Sequence, residues 1–184
     1  GLYTAEFSYE GQALISGGYY GARAWDPDTG EEIARLEAED DERFTGVWAA
    51  PSHEEVVVTT RDAILFWDWK EETVMRRNVA ENTSFDRVVF SPTGDQVAIM
   101  VDIIHERYRA PFYSVVEVWN VEKANRQAVS DTVSLPLPGD IDFSATGETL
   151  LFSPGGYGGR QPHLLLDTRS AKPRITFDSP PFRR

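Results

Sequence analysis

"ARAWDPDTGEE", residues 22–32, carries small and aromatic residues into an acid and then into a turn. Its central pair, Trp25-Asp26, has near-copies at Trp67-Asp68 and Trp119-Asn120 and a weaker one at Leu166-Asp167, at intervals of 42, 52 and 47 residues. Recurrence at such intervals marks a chain built from stacked supersecondary units. A second shared element lies upstream of each pair: "FSYEGQALISG" from Phe7, "WAAPSHEEVVVTT" from Trp48, "FSPTGDQVAIMV" from Phe90 and "FSATGETLLFS" from Phe143. In each, an aromatic ends one extended run and a turn leads into an apolar one.

Within a unit the pattern is four short extended runs. Unit one predicts strands over 2–7, 13–16, 22–26 and 32–36, with turns at Glu10-Gly11 and Pro27-Asp28-Thr29-Gly30. In unit three, Pro92 suits the second position of a tight turn and Gly94 supplies a positive φ that a side chain would resist. Val, Ile, Phe and Trp dominate the runs, as a pleated, buried surface prefers. No helical stripe exceeds two turns, and the acids of 37–43 are expected in a solvated loop. Tandem four-stranded units of about 45 residues predict an all-β chain, a β-propeller of four four-stranded antiparallel blades.

Together "FSPTGDQVAIMV", "VVEVWNVEKAN", "ARAWDPDTGEE" and "ILFWDWKEE" resemble WD40 repeats, and the similarity covers essentially the whole chain. The resemblance implies that Trp25, Trp67 and Trp119 end the third strands of their blades and pack between blades, while the polar residue after each begins a turn. It further implies a scaffold that presents loops to protein partners. The chain departs from the family pattern in having no Gly-His pair, although Asp62 in "TTRDAILFWD" sits where the partner of that His would stand. Other propellers built from four-stranded blades stay open.

The units divide the chain at about 1–38, 39–80, 81–130 and 131–179, with a short tail at 180–184, as a single propeller segment. The first predicted strand begins near residue 2 and the last, Arg174 to Phe177, ends near residue 184, leaving no spare strand to lock a ring. The expected arrangement is a partial ring whose two apolar end faces are covered by further blades or by another chain. Homodimeric closure of one ring and a self-contained four-bladed ring are the alternatives.

Thirty acids against 18 bases give a net charge of -12, which opposes general nucleic-acid binding. Residues 1–60 hold 13 of the acids and only three bases, which leaves room for local positive patches in the remainder. With no cysteine, disulfide scaffolds and thiolate chemistry are excluded. Apolar runs such as Val56-Val57-Val58 fall far below the roughly 18 residues of a membrane span, so no membrane insertion is expected. The N-terminus lacks the basic start and apolar stretch of a secretory signal. Together with the absence of Cys, this suits a cytoplasmic or nuclear protein.

Blade connectivity puts the second-to-third strand connections on one face of the disc. Three are expected to be long: 17–21, 102–113 and 153–162. They carry Tyr19 and Tyr20, then Arg107, Tyr108, Arg109, Phe112 and Tyr113, then Tyr157 and Arg160. Tyr and Arg concentrated on an acidic chain have the composition of a partner-binding hot spot, although such loops also fold back on their own blade. His53, His105 and His163 lie on different connections or strand starts without metal-ligand spacing. The glycines of 17–21 precede a strand, so no helix terminus awaits a phosphate. The expectation is a non-catalytic interaction segment with no cofactor or metal. The rival is a propeller domain of a larger enzyme, gating a hydrolase or lining a channel with metal-binding acids.

Overall fold

The computed structural model describes residues 2–39, 42–80, 83–105, 110–130, 139–153 and 162–177. Among the described residues, sixteen strands form four sheets. Sheet 1 holds β1 (Leu2–Phe7), β2 (Leu14–Gly18), β3 (Gly21–Trp25) and β4 (Glu32–Glu37). Sheet 2 holds β5 (Gly46–Ala49), β6 (Glu55–Thr59), β7 (Ala63–Asp68) and β8 (Thr73–Asn78). In sheet 3 are β9 (Thr83–Phe90), β10 (Gln96–His105), β11 (Ala110–Asn120) and β12 (Asn125–Val129). Sheet 4 is made of β13 (Asp140–Phe143), β14 (Thr149–Ser153), β15 (His163–Asp167) and β16 (Pro173–Phe177). Every sheet is an antiparallel meander in sequence order, so the all-β, four-sheet, propeller-like architecture expected from the repeat is present.

The repeated polar residues are turn devices. After β3, Asp26 Oδ1 accepts the Asp28 and Thr29 N–H groups at 2.8 Å each. Asp68 receives Lys70 and Glu71, Asp167 receives Arg169 and Ser170, and Asn120 receives Lys123 in the same way. These bonds, first Thr29 and then Asp28, hold the Asp26 carboxyl below its ordinary value. Four residues after each of these side chains the backbone turns left-handed, at Gly30 (φ 74), Glu72 (φ 52), Ala124 (φ 46) and Ala171 (φ 52). The serine of the "FS" pairs serves the first-to-second strand turn: Ser8, Ser91 and Ser144 Oγ accept the N–H of Ala13, Gln96 and Thr149. As expected, Gly94 closes the turn begun by Ser91-Pro92, with φ 74.

Register sorts each sheet into two faces. One carries the cross-strand row Ala49–Val56–Trp67–Val74 in sheet 2, Phe90–Val97–Trp119–Arg126 in sheet 3 and Phe143–Leu150–Leu166–Pro173 in sheet 4. The other carries Ile15–Ala24–Ala34 in sheet 1, Val57–Phe66–Met75 in sheet 2 and Ala98–Val118–Ala128 in sheet 3. Each seam joins a row of the first kind to a row of the second kind on the preceding sheet. Trp67 packs with Ile15, Ala22 and Ala24; Trp119 packs with Val57, Ile64 and Phe66; Leu166 packs with Ala98, Met100 and Val116. Burial of these rows is the main apolar contribution to the fold.

Trp25 lies apart from the three internal seams. Its row is Phe7–Leu14–Trp25–Glu32, on the face of sheet 1 turned away from sheet 2. Half-buried, its indole Nε1 donates to Ser16 Oγ on the same sheet at 2.7 Å. Among the described residues no apolar cluster joins sheet 4 to sheet 1, and Phe7 is 66% and Ile175 55% exposed. Among the described residues the four sheets therefore form a series in which the outer faces of sheets 1 and 4 belong to no shared apolar cluster. Trp67 and Trp119, by contrast, lie in seams.

Candidate partner-binding face

The face expected to carry long loops begins with a tight hairpin. β2 runs through Gly17 and Gly18 and β3 starts at Gly21, leaving only Tyr19 and Tyr20 in the connection. This corrects the expected long loop over 17–21, and the reason is steric. A Cβ on Gly17 would lie 2.4 Å from Val47 Cγ2, and one on Gly21 would lie 2.6 Å from the Leu36 carbonyl oxygen. The glycines let strands run where loop residues were expected. Similarly, β10 extends to His105 and β11 begins at Ala110, so the described part of 102–113 is paired strand rather than loop. Tyr113, half-buried, faces Ile103 across that ladder, and the backbone places Phe112 in β11 beside it. Arg107, Tyr108, Arg109, Tyr157 and Arg160 lie outside the described residues.

Tyr19 and Tyr20 are 41% and 70% exposed at the hairpin tip. Their backbone is tied to the neighbouring connection: the Phe44 N–H donates to the Tyr19 carbonyl and the Ala38 N–H to the Tyr20 carbonyl, both at 3.1 Å. Phe44 is fully buried, which fixes the connection between β4 and β5 against the sheet 1–sheet 2 seam. Arg43 thereby projects over the Tyr19 ring, 5.9 Å from its centroid. On the sheet 2 side, the turn Arg61-Asp62 is closed by Thr60 N–H to Ala63 C=O at 2.9 Å.

These elements enclose an open cavity of about 600 Å³, lined by Tyr19, Glu42, Arg43, Arg61, Asp62 and Arg76 among others. At its wall the Arg76 guanidinium spans two acids, 2.8 Å from Glu42 Oε1 and 3.5 Å from Asp62 Oδ1. The Glu42 side chain is only 10% exposed, and its hydrogen bond is the first cause pushing the Arg76 guanidinium up from its ordinary value. Asp62 also accepts the Thr60 hydroxyl at 3.1 Å. This Asp meets an arginine from β8. The wall thus sets one guanidinium against two carboxylates, while Arg43, Arg61 and the two tyrosines are exposed.

Of the nine expected contact residues, the described face brings together Tyr19 and Tyr20. Glu42, Arg43, Arg61 and Arg76 were not anticipated there. The aromatic Phe44 amid a run of acids was the available signal that the segment around it packs at 42–45. On other parts of the molecule, His163 Nδ1 lies 3.1 Å from Ser153 Oγ and His53 sits at the opposite end of sheet 2, beside Gly94.

No family model matches the chain, and no curated protein matches it. Among solved structures, the chain is similar to hydrazine synthase of Kuenenia stuttgartiensis, with 16% identity and a TM-score of 0.61 over 89% of this chain and 52% of that one. The chain spans about half the length of that relative. At this identity the likeness is one of fold: all-β, with antiparallel four-stranded sheets in series.

Proposed function

We propose that the chain is a WD40-like, non-catalytic interaction segment that binds a protein partner through its turn face. The observation carrying this reading is the Tyr19-Tyr20 tip beside Arg43 and Arg61 at the mouth of a cavity of about 600 Å³. Tyr and Arg supply large contact area, directional hydrogen bonds and cation–π contacts, the chemistry enriched at binding hot spots. A hairpin tip held by two backbone hydrogen bonds lowers the entropy lost when such side chains are immobilised. The hydroxyls and guanidinium groups suit a partner surface bearing carboxylates and carbonyl oxygens.

The test compares the wild-type chain with a Tyr20→Ala, Arg61→Ala double variant in quantitative pull-down, with thermal melting in parallel. Selective loss of captured proteins at unchanged melting temperature is expected. Identical recovery by both chains rejects this face.

A further inference from the structure

We propose that sheet 4 of one copy of this chain seats on sheet 1 of a second copy, forming a seam of the kind already present three times within the chain. Three internal seams define what each half needs. The leading half is an apolar row, and sheet 4 carries one on its outer face, Leu151–Leu165–Ile175, at the register positions of Val57–Phe66–Met75. The following half is a row with a large residue at the end of the third strand, and sheet 1 carries Phe7–Leu14–Trp25 on its outer face. One chain thus presents both halves of one interface on its opposite ends, where Phe7 and Ile175 are exposed. A second copy supplies each missing half at once.

A polar pair agrees with the apolar one. In the seam between sheets 1 and 2, the Glu6 carboxylate accepts the Ala49 N–H across the boundary. Glu6 pairs with Ile15, as Asp142 pairs with Leu151, so Asp142 is its counterpart on sheet 4, and it is exposed. Ala49 pairs with Val56, as Phe7 pairs with Leu14, so Phe7 is its counterpart on sheet 1. The acceptor and donor of that cross-seam hydrogen bond therefore recur at the two free ends. The interface is head-to-tail, and two copies related by a two-fold axis close it with two equal seams. Its basis is the seam register, independent of the turn-face reading.

The experiment is sedimentation velocity of the intact chain over a hundredfold range of concentration, alongside Phe7→Arg, Ile175→Arg and their equimolar mixture. Wild type is expected at twice the 20.7 kDa chain mass, and each variant at half the wild-type value. Both substituted residues are largely exposed, so the variants should melt with the wild-type monomer's secondary structure intact. Mixing the variants should restore a pair, because one seam then joins two unaltered halves. A wild type that stays at 20.7 kDa throughout overturns the proposal. So does a dimer that survives Ile175→Arg, which would mean a like-with-like interface, or a mixture that recovers no pair.

Discussion

Phe66 and Trp119 face each other across the seam between sheets 2 and 3, with ring centroids 6.0 Å apart and planes inclined at 41°. This tilted contact shows how the repeat holds itself together. The indole that ends the third strand of one sheet is received by the residue at the middle of the row on the sheet before it. Trp67 meets Ala24 and its neighbours in the same sense, whereas Trp25 has no preceding sheet among the described residues.

That difference predicts unequal costs for the same substitution. Trp67 is 1% exposed, so Trp67→Ala should cost about 3–5 kcal/mol. Trp25→Ala, at a half-buried position, should cost about 1–2 kcal/mol in the monomer. Urea unfolding of the two variants measures both, and equal losses would contradict the seam assignment.

The left-handed residue of each third-to-fourth strand turn offers a stabilising change. Glu72 is exposed with φ 52, a conformation that a side chain resists. Glu72→Gly should stabilise by about 0.5–1 kcal/mol, the relief of left-handed strain less the extra backbone entropy of glycine. Gly30→Ala, at the equivalent position with φ 74, should destabilise by about 1 kcal/mol. Thermal melting distinguishes the two signs.

Glu42 and Arg76 should behave as a unit. Arg76→Ala leaves a carboxylate that is 10% exposed without its counter-charge and is expected to cost about 1–3 kcal/mol, reduced from a fully buried case because Arg76 itself reaches solvent. The Glu42→Gln, Arg76→Ala double variant should recover part of that loss. A double-mutant cycle with zero coupling energy would show that the pair does not act together.

Glu6 gives the pH dependence of the first seam. Burial pushes its carboxyl up from an ordinary 4.5, and the Ala49 N–H draws it partly back. A carboxyl raised in the folded state contributes stability while protonated and loses it as pH rises through the folded value. Glu6→Gln keeps an oxygen acceptor for Ala49 and removes the charge. The variant should therefore melt higher than wild type at pH 7, with the gap closing as pH falls below the ordinary carboxylate value. A gap that is constant with pH would remove Glu6 from this account.

Much of this was legible because it is local. The recurrence of Trp or Leu before an acid or amide sets sheet number and strand order, since side chains alternate faces and a buried face tolerates no register slip. Asp26, Asp68, Asn120 and Asp167 act on backbone N–H groups two or three residues ahead, so their turns can be read without knowing the fold. The tight Tyr19-Tyr20 hairpin could not be read this way. Val47 and Leu36, distant in the chain, are what require Gly17 and Gly21 to lack side chains. The pairing of Glu42 with Arg76 joins residues 34 positions apart and has no local signature. Trp25 shows the division most plainly: repetition places its indole at a seam position, but whether a seam forms depends on which surface arrives opposite, because apolar burial is a property of two faces in contact and never of one strand alone.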